Sequence, residues 1–258
     1  MYNELLQKMN EISLSKVALL RSGKVRYLLL AMLAGFFVGL GIILIFTIGG
    51  TVGDVPYRRT LMGMSFGIAL SLVIMAGSEL FTGNNLVLTM GAMDKTVSWT
   101  DVFRIWIYSW IGNWAGSILV AVLYVQTGLT KGPVGEFIAA ASAAKMTAGA
   151  SELFFRGVLC NILVCLAVLC SIKLKEEIAK LVMIWWCLFA FITSGFEHSI
   201  ANMSLLTVGL LVPHGDKVTL GGYFYNIGIV TLGNLAGAVV VLALAYWYIG
   251  SSPKKQAA

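Results

Sequence analysis

Apolar residues along the chain gather into six long runs, at about 27–50, 60–93, 102–125, 151–171, 180–212 and 222–249. A helix needs about 20 apolar residues to cross a hydrocarbon core of about 30 Å, so each run predicts one spanning helix. The second and fifth runs are too long for that. Each holds about 33 residues, and a continuous helix of that length would measure about 50 Å. Both therefore predict two half-helices separated by a break. In the second run the break is expected at Thr82-Gly83, where glycine permits non-helical dihedrals and Asn84 can cap the next half-helix. Ahead of the first run, Leu5, Leu6, Met9, Ile12 and Leu20 fall near one helical face beside several lysines. That pattern predicts an amphipathic helix over 1–26, lying on the cytoplasmic membrane surface.

The runs also repeat. LGNLAGAVVV from Leu232 echoes IGNWAGSILV from Ile111, and earlier in each half AGSELFTGN from Ala76 aligns with SGFEHSIAN from Ser194. Glu79 then matches Glu197, Asn84 matches Asn202, and Asn113 matches Asn234. Each half holds three spans, an odd number, so the second copy is inverted relative to the first. The expected fold is an all-α membrane protein with six transmembrane helices as a 3+3 inverted repeat, broken in its second and fifth helices. Symmetry places the second break around 198–202. The chain divides into the amino-terminal helix, one pore domain over 27–250 and a cytoplasmic tail over 251–258.

Composition agrees with burial in lipid. Charged residues make up 12% of the chain, against roughly 25% in an ordinary soluble domain. That excludes a cytosolic enzyme, a disordered chain and a secreted disulfide scaffold. The net charge of +6 comes from basic residues lying between the apolar runs, which points to membrane orientation and away from nucleic acid. Counting Arg104 and Lys180, at run ends, with the gaps they adjoin, twelve of the 18 Lys and Arg fall in the amino-terminal segment, the even-numbered gaps and the tail, and four in the others, leaving Lys145 and Arg156 near the entrance of the fourth span. Both termini are expected in the cytoplasm. No cleavable signal peptide is expected, because residues 1–24 hold Glu4, Lys8, Glu11 and Lys16 without an apolar core segment. Cys160, Cys165, Cys170 and Cys187 all lie inside apolar runs without metal-ligand spacing and are read as packing.

Unpaired backbone at membrane depth is tolerated only where protein buries it or a wet cavity meets it, so the two breaks mark one midplane site. Half-helix amino termini there would suit a small anion. His198, an ionisable residue within a span, is read as a pore residue, whereas His214 beside Pro213 is read as a solvated loop residue. Glu197 is expected to be a buried acid held by Lys145 or by backbone amides, orienting His198. Lys145, in a small-residue stretch, would draw anions inward. Glu152 and Arg156 are expected to form an ion pair at a helix end. Glu79 is left without a role. Asn113 and Asn234, each beside a glycine, are expected at close helix contacts. Lys16 and Lys24 fall beneath the cytoplasmic mouth, where the first helix could act as a lid.

These residues also resemble a family. FTGN at 81–84, GFEHSIANM at 195–203, CNILVCLAV at 160–168 and the GN pairs ending at Asn113 and Asn234 are similar to the formate/nitrite transporter family, over about 23–248. GLGIILIFT, AGSELFTG and MIWWCL resemble its nitrite-channel branch, whose features the hydrosulfide members largely share. The resemblance implies aquaporin-like protomers in a homopentamer within a bacterial inner membrane, each protomer with its own pore. It implies Thr82 and His198 facing each other at the pore centre, with Leu80, Phe81, Phe191, Val164 and Leu70 as apolar constrictions. Lys145, Glu197, Asn161 and Asn202 would be the polar support. The implied cargo is a small weak-acid anion, nitrite first, with formate and hydrosulfide as alternatives, and no cofactor, metal or catalytic residue. Other classes fit less well. A water or glycerol channel needs paired NPA turns and a membrane metalloenzyme needs clustered histidines, and neither pattern is present. A non-conducting sensor would not need paired breaks.

Overall fold

The computed structural model describes residues 2–251, all of whose regular structure is helical. The tail expected over 251–258 lies, but for Ser251, outside the described residues. The chain runs α1 (Tyr2–Ser22), α2 (Lys24–Thr51), α3 (Arg58–Ser65), α4 (Gly67–Met75), α5 (Phe81–Met93) and α6 (Trp99–Gln126). The second half runs α7 (Pro133–Met146), α8 (Ala150–Lys173), α9 (Glu177–Ser194), α10 (Ser199–Leu211) and α11 (Leu220–Ala236). From α11 a π-helical segment, Gly237–Ala243, leads into α12 (Leu244–Gly250). Six segments are long and apolar enough to cross a membrane: α2, α3–α4, α6, α8, α9 and α11–α12. Their outer faces carry exposed Leu29, Leu33, Ile107, Phe155, Trp186 and Val240, as lipid or a neighbouring subunit requires.

The half-helices α5 and α10 hold 13 residues each and are buried nearly end to end. Each follows a break. The first break spans 76–80, earlier than Thr82-Gly83, and Thr82 sits in the first turn of α5. The reason is that Gly77 takes the left-handed turn at φ 74°, while the Asn113 side chain, and not Asn84, receives the first amide of α5. The second break spans 195–198 and overlaps the expected range only at His198; Gly195, at φ 77°, ends α9 there.

Two features went unforeseen. The stretch around Lys145 is a helix, α7, opened by Pro133 at its first turn and packed on α2 and α10. With α7 in place each half opens on a helix ahead of its three spans, α1 in the first and α7 in the second, although α1 packs on α5 and α12 and α7 on α2 and α10. The amphipathic face expected on α1 is present, with Leu5, Leu6, Met9, Val17 and Leu20 buried. It packs on α5 and α12 through Leu86, Met90, Leu242 and Ala243.

The repeat is closed by matching glycine contacts. A Cβ on Gly116 would overlap the Met32 carbonyl where α6 crosses α2. One on Gly237 would overlap the Val158 carbonyl where the last helix crosses α8. These are the two AG steps of the sequence repeat, and only glycine lets the backbones approach so closely.

Candidate functional site

The breaks meet at the centre of the protein, each with a helix amino terminus pointing inward. The same asparagine device holds both. Asn113 accepts the Phe81 amide at 2.9 Å and donates to the carbonyls of Ala31 at 2.7 Å and Glu79 at 2.9 Å. Asn234 accepts the Ser199 amide at 2.9 Å and donates to Gly157 at 2.8 Å and Glu197 at 3.0 Å. Backbone groups that no water could reach are thereby satisfied inside the protein. Asn161 donates to the Asn234 carbonyl at 2.7 Å, which ties α8 to the second break.

Each break also carries an acid neutralised by a lysine. Lys145 Nζ lies 2.6 Å from Glu197 Oε2, and Asn202 donates to the same oxygen at 2.6 Å while bonding Asn226 at 2.8 Å. In the other half, Lys16 Nζ lies 2.7 Å from Glu79 Oε1, and Glu79 Oε2 accepts from Asn84 at 3.0 Å and from Tyr27 at 2.9 Å. Burial of an unpaired carboxylate would cost several kcal/mol, so each acid requires its lysine.

Between the two clusters Thr82 Oγ1 and His198 Nε2 are 3.0 Å apart. His198 caps α10, its Nδ1 accepting the Ala201 amide at 3.2 Å. That bond fixes the neutral tautomer. The ring proton sits on Nε2 and is donated to Thr82, whose own hydroxyl proton stays free for another acceptor. The Phe191 ring stacks on the imidazole, with centroids 6.0 Å apart and an interplanar angle of 24°.

Cavities lie on both sides of this contact, although Thr82, fully buried, lines none of them. The larger, about 380 Å³, is lined by Phe137, Lys145, Arg59, Phe191, Glu197 and His198. The one on the α1 side, about 270 Å³, is lined by Ile12, Lys16, Glu79, Leu80 and Val168 among others. Between them lies a cavity of only about 10 Å³, bordered by Leu70, Leu80, Val164, Phe191 and His198 with Val38, Phe66 and Leu188. A water needs about 10–15 Å³, so the constriction has room for one water at most. Phe81 is buried at the start of α5, among the same core residues as Leu70, Leu80, Val164 and Phe191, and does not itself border these three cavities.

Residues 3–248 match the family described as formate/nitrite transporter. The chain belongs to that family. It is 49% identical over 225 residues to the nitrite transporter NirC of Salmonella typhimurium, which covers 87% of this chain and 82% of that protein. Among solved structures, an FNT family ion channel superposes with a TM-score of 0.92 at 43% identity, covering 97% of this chain and 99% of the other. A pentameric formate channel with formate bound gives 0.81 at 30% identity, covering 87% and 96%. The family is one of transporters and channels, and this member is a multi-pass membrane protein.

The remaining charged positions divide plainly. Glu152 and Arg156 pair at 2.9 Å, and His214 is exposed. Glu79, given no role from sequence, belongs to the polar cluster on the α1 side. Tyr27 and Asn226 were missed, Asn84 was expected only as a cap matching Asn202, and Lys16 only as a residue beneath the cytoplasmic mouth. The alignment of Glu79 with Glu197 was the available signal, since an acid matching a lysine-held acid needs a lysine of its own.

Proposed function

We propose that each protomer of a homopentamer forms its own pore for small monovalent weak-acid anions, nitrite first, with formate or hydrosulfide as the alternative cargo. The membrane is the bacterial inner membrane with both termini cytoplasmic, so the α1 side faces the cytoplasm and the α7 side faces outward. The amphipathic helix α1 lies beneath the pore domain of residues 27–250. The carrying observation is the Thr82–His198 contact at 3.0 Å, set between two vestibules that each end on a lysine–glutamate pair. The names of the relatives supply the cargo class.

The geometry supports a particular division of labour. Anions gather in vestibules made favourable by Lys145, Lys16 and the positive ends of α10 and α5. A constriction with room for one water strips the hydration shell, which costs a bare anion far more than a neutral acid. The cargo therefore crosses as the conjugate acid. His198 is a poor source of that proton. Its Nδ1 is occupied as a cap, so losing the Nε2 proton would leave an imidazolate. The ring and the Thr82 hydroxyl act as fixed hydrogen-bond donors, and the proton arrives with the cargo through vestibule water. Uptake of nitrite, formate and hydrosulfide by proteoliposomes, with and without a pH gradient, tests this reading. Faster uptake from the acidic side supports it, and no uptake above protein-free vesicles overturns it.

A further inference from the structure

The α7-side vestibule carries more positive charge than its counterpart. Arg58, Arg59, Lys145 and Arg156 line it, against the single cation Lys16 on the α1 side. Three of the four are engaged. Lys145 is held by Glu197. Arg156 is held by Glu152. Arg58 pairs with Asp54 at 3.2 Å, bonds the Gly53 carbonyl and lies over the Phe137 ring at 4.8 Å. Arg59 has neither a hydrogen bond nor an ion pair among the described residues.

Its position is specific. A Cβ built on Gly195 would lie 3.1 Å from Arg59 Nη1, so the guanidinium rests against the turn that ends α9. Glu197 and His198 follow two and three residues later. The negative end of α9 helps hold the cation there. In the second repeat the matching helix begins on acids, with Glu177 at its start and Glu176 as its cap, so the arginine has no equivalent on the α1 side.

We propose that Arg59 is an anion-recognition residue of the α7-side mouth, selecting planar two-oxygen anions such as nitrite and formate over hydrosulfide. The inference rests on the pore reading above and deepens it. A guanidinium presents two parallel N–H donors that match two oxygens of one anion, whereas a lysine is a point charge without that geometry. Hydrosulfide offers a single sulfur and gains only the charge. Selection therefore happens before the constriction, whose apolar walls distinguish these anions poorly.

The test compares wild type, Arg59→Lys and Arg59→Gln in proteoliposomes, with uptake measured from low to saturating anion and protein-free vesicles subtracted. Arg59→Lys should raise the half-saturating nitrite and formate concentrations about tenfold. Saturating flux should hold, and hydrosulfide uptake should stay within about twofold of wild type. Arg59→Gln should slow all three anions at low concentration. Arg59→Lys indistinguishable from wild type on nitrite and formate would overturn the proposal while leaving the pore reading intact. So would an equal loss on all three anions, which would mean charge attraction alone. Wild-type vesicles that transport none of the anions would overturn both.

Discussion

Asn113 and Asn234 make the same three hydrogen bonds in opposite halves of the protein, each receiving the first amide of a half-helix and donating to two carbonyls. One residue type thus closes both helix breaks, and the inverted repeat follows from that requirement. Neither asparagine is itself within the lining of the three central cavities. Their contribution is to hold Thr82 and His198 at the ends of the helices that carry them.

Asn113→Ala and Asn234→Ala should therefore destabilise the protein to a similar degree. Each strands buried amides and carbonyls at about 1–3 kcal/mol per group. Thermal unfolding in detergent should show comparable losses for both. A large loss at one site with none at the other would contradict the equivalence.

For the acid–lysine clusters, single and double variants should differ. Removal of one partner from a buried pair costs about 3–5 kcal/mol, while removal of both costs much less. Lys145 is partly exposed, so the lower end applies. Lys145→Met should unfold earlier than Lys145→Met/Glu197→Gln. Flux at low anion should be reduced in both, because neither retains the cation. Restoration of wild-type flux in the double variant would remove Lys145 from anion attraction.

The fold was largely legible in the sequence, and the site about half so. Hydrophobic runs about 33 residues long forced the breaks, and two aligned motifs forced the inversion. The exact break was not legible, because Gly77 and Gly83 both offer the needed dihedrals and only the Asn113 side chain, supplied from another helix, decides between them. Lys16, placed only beneath the mouth, was not matched to Glu79 for a related reason. Its equivalence with Lys145 depends on α7, whose Ala-rich sequence carries no amphipathic pattern strong enough to identify a helix.

His198 acts here as a donor with a pinned tautomer, which makes His198→Asn informative. Asparagine can still cap α10. Nitrite uptake should fall in magnitude yet keep rising as pH decreases, since the neutral-acid fraction rises whatever occupies position 198. A pH-independent flux in this variant would assign the proton to the imidazole.

Crossing as the neutral acid leaves an electrical signature. Nitrite added outside the vesicles should acidify the lumen without building an inside-negative potential, beyond the background of protein-free vesicles. A pH-sensitive and a voltage-sensitive dye in parallel would read both. An inside-negative potential without acidification would mean passage as the anion.

The central claim is that cargo passes through the protomer, at the constriction bounded by Leu80, Val164, Phe191 and His198. Val164→Phe tests it most directly, because the space beside Val164 is only about 10 Å³ and a larger ring must fill it. Overpacking of this kind costs about 1–3 kcal/mol, which leaves room for a folded protein whose assembly gel filtration can verify. Nitrite uptake by proteoliposomes of the correctly assembled variant should fall to the level of protein-free vesicles. Uptake equal to wild type would place the route elsewhere, in the opening between protomers.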